Sequence, residues 1–246
     1  MSSVEGKSRA DYGFDAPAVA IWLAVATVAL IGLTVVLAVT VGGWWWLIPL
    51  VYALFFGLSC ASYVYTTRRG KFVVWSGLLA DLRLTGGERV VDIGCGRGAV
   101  LTMLARRVPR GRAVGVDLWR SVDQSGNDPA HALHNAVAEG VTVELLTADM
   151  RALPLATGSV DVVVSSLAIH NIPDGPGRLR AVAEAARVLR PGGRLVVADF
   201  RHARAYEGEL AGLGLTDLAV RDLGWRFWYG GPWFATRMVS ARRPQE

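Results

Sequence analysis

The sequence predicts an α/β chain, a doubly wound and mostly parallel sheet preceded by a transmembrane helical hairpin. Three observations predict it. From Ala16 to Thr67 there are 52 consecutive residues without Asp, Glu, Lys, Arg or His. From Arg68 onward charged and apolar runs alternate, and the roughly 175 residues there are enough for one well-filled core. Within that half, short β-branched runs alternate with helical segments between glycines, the pattern of a parallel sheet with helices on both faces.

The hairpin comes first in the chain. Roughly 20 apolar residues cross a bilayer core as a helix, so the uncharged stretch holds two spans. It divides at Gly42-Gly43 into spans of about 17–41 and 44–67. Pro17 suits a first helical turn, where its missing N–H is no loss. Trp44, Trp45 and Trp46 fall where amphipathic rings meet the lipid–water boundary. Lys7 and Arg9 precede the first span, and Arg68, Arg69 and Lys71 come directly after the second. Such flanks favour the cytoplasmic side. The expected location is therefore the cell membrane, multi-pass, with both termini and the α/β half in the cytoplasm. A cleaved signal peptide has a shorter apolar region, about 7–15 residues, and would not be followed at once by a second span. A buried hairpin in a soluble protein is the plainer alternative.

Residues 1–71 are thus read as the anchor, 72–84 as a linker helix and 85–246 as the α/β domain. In the linker, Phe72, Trp75, Leu78, Leu79 and Leu82 recur at helical spacing and fit either core or membrane-surface contact. Strands are expected at 89–93, 113–117, 141–146, 160–166 and 194–199. Helices are expected near 99–108, 129–139 and 178–189, and Gly111, Gly140 and Gly192-Gly193 mark their turns. The net charge of +5 comes from 26 basic residues, of which only Lys7 and Lys71 are lysines. The arginines are scattered among acids without a basic helix, so no nucleic-acid partner is expected. Cys60 and Cys95 imply no disulfide framework.

In a doubly wound sheet, ligands sit beyond the carboxyl ends of the strands. Val90-Val91-Asp92-Ile93-Gly94-Cys95-Gly96-Arg97-Gly98 runs off the first strand into the first helix. There glycines permit close backbone approach and the helix start offers unpaired N–H groups. Alone this loop is ambiguous, because Gly94, Gly96 and Ala99 also satisfy a dinucleotide-binding pattern. Asp117 ends the second strand, where a carboxylate can accept from ribose hydroxyls. Asp149-Met150 follows the third, and Leu189-Arg190-Pro191-Gly192-Gly193-Arg194-Leu195 leads into the fifth.

With these motifs in order, residues 85 to 243 resemble the class I S-adenosylmethionine-dependent methyltransferases, in particular the small-molecule branch that includes the ubiquinone/menaquinone enzymes. As a set the motifs are specific where the glycine loop alone is not. The resemblance implies a seven-stranded sheet with an antiparallel last strand, 216–223 and 234–242 forming the final two, and S-adenosyl-L-methionine as cofactor. It implies that Asp92 and the Gly94-Cys95-Gly96 loop hold the methionine part of the cofactor. Asp117 would bind the ribose, Leu118 pack on adenine, and Asp149 with the Met150 backbone read the adenine edge. Ser165, on the fourth strand, joins this cofactor set. For each carboxylate the plain alternative is a helix N-cap or a solvated strand end.

The chain departs from the family by a longer loop, 119–127, which could be a lid or part of the acceptor site. Trp119 is the candidate there for stacking or substrate contact. His170, just past the fourth strand, is the candidate general base, since histidine titrates near working pH, and Asn171 could orient the acceptor. His131 and His134 lack further ligands at metal-site spacing, so no metal is expected. Six of the eleven residues from Gly224 to Phe234 are aromatic. Trp225, Trp228 and Tyr229 there could line an acceptor pocket, touch the bilayer, or close the core. The expectation is a membrane-anchored methyltransferase acting on a small, apolar, membrane-partitioning acceptor at an O, S, N or C centre. An NAD(P)-dependent oxidoreductase and a non-catalytic cofactor-binding membrane module are the alternatives.

Overall fold

In a computed structural model, which describes residues 10–120 and 126–245, the valine-rich runs are the strands of one sheet. Lys7 and Arg9, and residues 121–125 of the inserted loop, lie outside the described residues. The strands are β1 (Arg89–Ile93), β2 (Arg112–Asp117), β3 (Glu144–Thr147), β4 (Val160–Ser166), β5 (Leu189–Asp199), β6 (Thr216–Asp222) and β7 (Arg237–Arg242). Their order is β3-β2-β1-β4-β5-β7-β6. β1 pairs in parallel with β2 and with β4, so strand order reverses between β1 and β4. β7 is antiparallel to both β5 and β6. That inserted antiparallel strand separates this sheet from the dinucleotide-binding fold, whose strand order is 3-2-1-4-5-6.

Alternation along each strand divides the side chains between two faces. Val91, Ile93, Val114, Val116, Val163, Leu195 and Val197 share one core with two helices, Gly175–Val188 and Ala203–Gly212. The second of these helices carries little apolar signal in the sequence, because its buried positions, Ala203, Tyr206 and Leu210, keep helical spacing but are only three. The strand bounds move for local reasons. β3 starts three residues later than expected, because this edge strand pairs only opposite Val114–Asp117. β5 starts five residues earlier, since Leu189 already pairs with Val160 before a bulge carries the chain to Arg194.

The described residues form two compact units. One holds 75–222 with 10–13 and 236–245, and the other holds Phe14–Val74 and Leu223–Ala235. The second unit contains α1 (Pro17–Thr40) and α2 (Leu47–Tyr65). A π-helical turn, Thr66–Gly70, leads from α2 into α3 (Lys71–Asp81). From Trp75 onward α3 belongs to the sheet unit, where Trp75, Leu78, Leu79 and Leu82 are buried. The apolar stripe of the linker is therefore core. The remaining helices are α4 (Ala99–Ala105), α5 (Pro129–Ala138), α6 (Gly175–Val188) and α7 (Ala203–Gly212).

Candidate active site

The chemistry-bearing residues gather where β1, β2, β4 and β5 end. At the end of β1 the chain turns through Gly94, whose φ of 73° lies in the left-handed region. A β-carbon there would run into the side chain of Ala168, so only glycine lets the loop close against the turn that follows β4. Gly94 N–H donates to the Val116 carbonyl at 2.7 Å, and Gly96 N–H donates to Asp117 Oδ2 at 2.9 Å. The glycine loop and the acid ending β2 are thereby one assembly.

Asp92 lies inside this assembly, 1% exposed. Its Oδ1 is buried without a hydrogen-bond partner. Burial, with the charge of Asp117 adding to it, pushes its carboxyl up to about 8. A buried acid with an open acceptor oxygen costs stability unless something ionic meets it, and the ammonium group of a bound amino-acid moiety would do so. Cys95 is buried, and its thiol is pushed up by that burial. Its Sγ lies where a β-carbon on Gly115 would fall, so the residue serves the loop through its backbone.

Asp117 is further held by the Trp119 N–H at 2.7 Å and by Asn127 Nδ2 at 3.2 Å. Asn127 Oδ1 is buried and has no partner, which leaves an acceptor beside the carboxylate. Its neighbour Asp128 is a helix cap, accepting from Ala130 N–H ahead of α5. Trp119 is pinned by its indole N–H to Thr147 Oγ1 at 2.9 Å, a contact that ties the inserted loop to the edge strand. Leu118 is 46% exposed at the end of β2. Asp149 is clasped by the Arg151 guanidinium, 2.6 Å at the shortest, which holds its carboxyl below the usual range. An ionised carboxylate has further lone pairs, so this clasp does not exhaust Asp149. Met150 packs beside Gly94.

One cofactor candidate is displaced by the geometry. Ser165 is fully buried, and its hydroxyl donates to the Ile93 carbonyl at 2.9 Å. It braces β4 against β1 and has no donor left for a ligand.

The strongest feature at this edge involves a residue that sequence reasoning missed. His170 sits in a short 3₁₀ turn, Ile169–Asn171, after β4. Its Nδ1 lies 2.9 Å from Oδ1 of Asp199, the last residue of β5, and its backbone N–H donates to Oδ2 of the same carboxylate at 3.1 Å. The Nδ1 contact is at ion-pair distance without hydrogen-bond alignment. Asp199 is itself 1% exposed and also accepts from the buried Tyr206 hydroxyl at 3.5 Å. Phe200 packs on the imidazole with ring centroids 4.3 Å apart. Ala168, two residues before His170, is the side chain that abuts Gly94, so the His170 turn and the glycine loop share one wall. Asp199 ends its strand with an acid as β2 does, and that repetition was the signal available in the sequence. Asn171 is exposed.

The aromatic segment belongs to the unit of the helical hairpin. Tyr229 donates to Asp15 Oδ2 at 2.9 Å, and Trp225 stacks on Tyr65 with centroids 5.2 Å apart. The Trp228 carbonyl accepts from Thr66 Oγ1 at 2.7 Å. The Tyr229 hydroxyl proton is therefore committed to Asp15.

A seven-stranded sheet with an antiparallel β7, a glycine turn after β1 and an acid ending β2 is the architecture that the resemblance to the class I S-adenosylmethionine-dependent methyltransferases implies. Residues 91–197 match the family described as a methyltransferase domain. Over 132 residues the chain is 37% identical to the ubiquinone/menaquinone biosynthesis C-methyltransferase of Dinoroseobacter shibae, covering 53% of this chain and 50% of that one. Over 132 residues it is also 35% identical to the demethylmenaquinone methyltransferase of Thermus thermophilus, covering 53% and 56%. The chain thus spans about half the length of these curated relatives. Among solved structures it resembles a SAM-dependent methyltransferase from Aquifex aeolicus, with TM-score 0.54 and 19% identity over 68% of this chain and 88% of that one. It also resembles the [4+2]-cyclase SpnF, with TM-score 0.56 and 21% identity over 70% and 80%. Both likenesses are of fold.

Proposed function

We propose that this chain is a membrane-anchored methyltransferase that moves the methyl group of S-adenosylmethionine to a small, apolar acceptor. The observation that carries the reading is the meeting, at one sheet edge, of the Asp92–Gly94–Asp117 assembly with the His170–Asp199 pair. Bound S-adenosylmethionine supplies a methyl group already activated on sulfur, so the protein's work is alignment, exclusion of water and removal of a proton. Asp92 would meet the ammonium of the cofactor with its open oxygen, Asp117 and Asn127 Oδ1 would receive the ribose hydroxyls, and Asp149 would take the adenine amino group. Asp199 holds the His170 turn through the backbone N–H and faces Nδ1, which leaves Nε2 as the base. His170 Nε2 would take the acceptor's proton, and the bound cofactor would supply the methyl group.

The anchor reading rests on α1. Its 24 residues have a mean hydropathy of 2.5 over the best window, and none of them is buried among the described residues. A soluble protein would cover such a helix; a bilayer covers it without protein contacts. Arg68 and Arg69, exposed after α2, favour a cytoplasmic position for the sheet-bearing half of the chain. An apolar acceptor fits an enzyme held at a membrane; one relative is named for ubiquinone/menaquinone biosynthesis and another for demethylmenaquinone. The cyclase neighbour favours a second reading, catalysis on the same fold without methyl transfer.

The full chain in lipid nanodiscs, given methyl-labelled S-adenosylmethionine and host lipid extract, should transfer label to an extractable acceptor. Cofactor binding by calorimetry without any label transfer would favour the second reading. No response to S-adenosylmethionine combined with binding of NADH would sink the methyltransferase reading.

A further inference from the structure

The β6–β7 connection asks for an explanation that the cofactor site does not supply. Trp225, Trp233 and Phe234 are 53%, 55% and 42% exposed, a large apolar area for one loop. The loop runs along α2. Trp225 stacks on Tyr65 and Trp233 on Phe55, with ring centroids 5.2 and 5.0 Å apart. Ten residues separate Tyr65 from Phe55, about 15 Å at the helical rise. Cys60 Sγ contacts the Ala20 carbonyl, which sets the start of α1 level with that part of α2. Phe55 lies five residues further in, about 7 Å deeper. Neighbouring surface on the same unit is equally bare and apolar. Leu58 is 72% exposed and Trp22 72%.

Irregular backbone enters lipid only where its polar groups are satisfied. This loop meets much of that condition. The N–H groups of Phe227, Trp228, Tyr229, Gly230, Phe234 and Ala235 donate within the loop, and Pro232 has none to offer. The Trp228 carbonyl takes hydrogen bonds from the Ser62 and Thr66 hydroxyls of the adjoining helix, at 3.1 and 2.7 Å. At the other end Arg226 lays its guanidinium 4.7 Å over the Trp225 ring. The Arg226 carbonyl lies against Gly70, next to the exposed Arg68 and Arg69. Arginine on an aromatic ring suits the headgroup level.

We propose that the β6–β7 connection is a third bilayer contact of this chain, an aromatic wedge. Its Trp233–Phe234 tip lies among the acyl chains of the leaflet that α1 enters first, with Trp225 and Arg226 at the headgroups. The wedge rests on the anchor reading above. It fixes a loop between two sheet strands at the lipid surface, which the two helices alone would not do.

The test uses the full chain in nanodiscs, where both membrane faces are open. Four variants, Trp233→Cys, Phe234→Cys, Val28→Cys in α1 and Ala211→Cys at an exposed position of α7, carry an environment-sensitive fluorophore. Wild type taken through the same labelling sets the background from Cys60 and Cys95. With spin-labelled acyl chains, probes at 233 and 234 should be quenched as strongly as at 28 and several-fold more than at 211. Quenching at 28 but not at 233 or 234 overturns the wedge and leaves the anchor standing. A probe at 28 that is not quenched removes the anchor, and the wedge with it. Two tip positions guard against one substitution disturbing the loop.

Discussion

Asp92 and His170 each lie beside a carboxylate that ends another strand, Asp117 and Asp199. Burial and the neighbouring Asp117 charge keep the Asp92 carboxyl protonated up to about 8, against an ordinary 3.8. The folded chain therefore holds a proton that the unfolded chain has lost between those values. The stability linked to this group is full below 3.8 and falls as pH rises through about 8. Asp92→Asn, neutral throughout, should flatten that slope in thermal melts while weakening cofactor binding. Well below about pH 8, a cationic cofactor must drive the proton off. Calorimetry in buffers of different ionisation enthalpy should then report release of close to one proton, vanishing at more alkaline pH; no buffer dependence would contradict the role. At the other end of the edge, His170→Ala should lower kcat by about 10²- to 10⁴-fold with little change in the KM for cofactor. Asp199→Asn should give an intermediate loss of the same kind. A change confined to KM would mean that the pair does not act on the proton.

Among the elements, the glycine loop is steadied from a side that its motif does not announce. Asn135 on α5 is 1% exposed and donates to the carbonyls of Arg97 and Asp11, both at 2.9 Å. The Asp11 N–H returns a bond to its Oδ1, also at 2.9 Å, and Arg97 bonds the Asp11 carboxylate at 2.9 Å. Tyr12 adds a bond to Thr102 on α4 at 2.8 Å. A short strap ahead of the first apolar helix thus holds the loop from outside. Asn135→Ala leaves the buried Arg97 carbonyl, and the carbonyl and amide of Asp11, without this partner and should cost about 2 kcal/mol. It should also raise the KM for cofactor with kcat nearly unchanged. A variant that melts like wild type and binds cofactor equally would show the strap to be incidental.

At the scale of the whole molecule, the chain passes repeatedly between its two units, so its parts are not beads on a string. Cutting at Phe72 divides the unit formed by Phe14–Val74 and Leu223–Ala235. It strips the aromatic loop of Ser62, Thr66, Tyr65 and Phe55 and removes Asp11 and Tyr12 from the sheet unit. The 72–246 fragment should therefore aggregate, or bind an apolar dye strongly, where the full chain in detergent runs as one species. A fragment that is monodisperse, with an unchanged melt, would show that the loop needs no helical partner.

The strands and the cofactor motifs were legible because local patterns specify them. β1 and β4 follow from runs of β-branched residues at their observed bounds, and the Gly94 turn and Asp117 follow from motif order. Two uncharged helices likewise need only composition and length. What tertiary structure decided were the partnerships between distant residues. Asp199 stands 29 positions from His170 and becomes its partner only because β4 and β5 pair side by side. Ser165 looks like a ligand in the sequence and proves to be a brace, since its hydroxyl finds Ile93 across the sheet. Trp225 and Tyr229 fit a pocket wall, a bilayer contact or core closure in the sequence, and their partners, Tyr65 and Asp15, lie far earlier in the chain. A local pattern records the conformation a segment prefers, whereas the partner of a polar or aromatic side chain is set by which segments the sheet and the hairpin bring together.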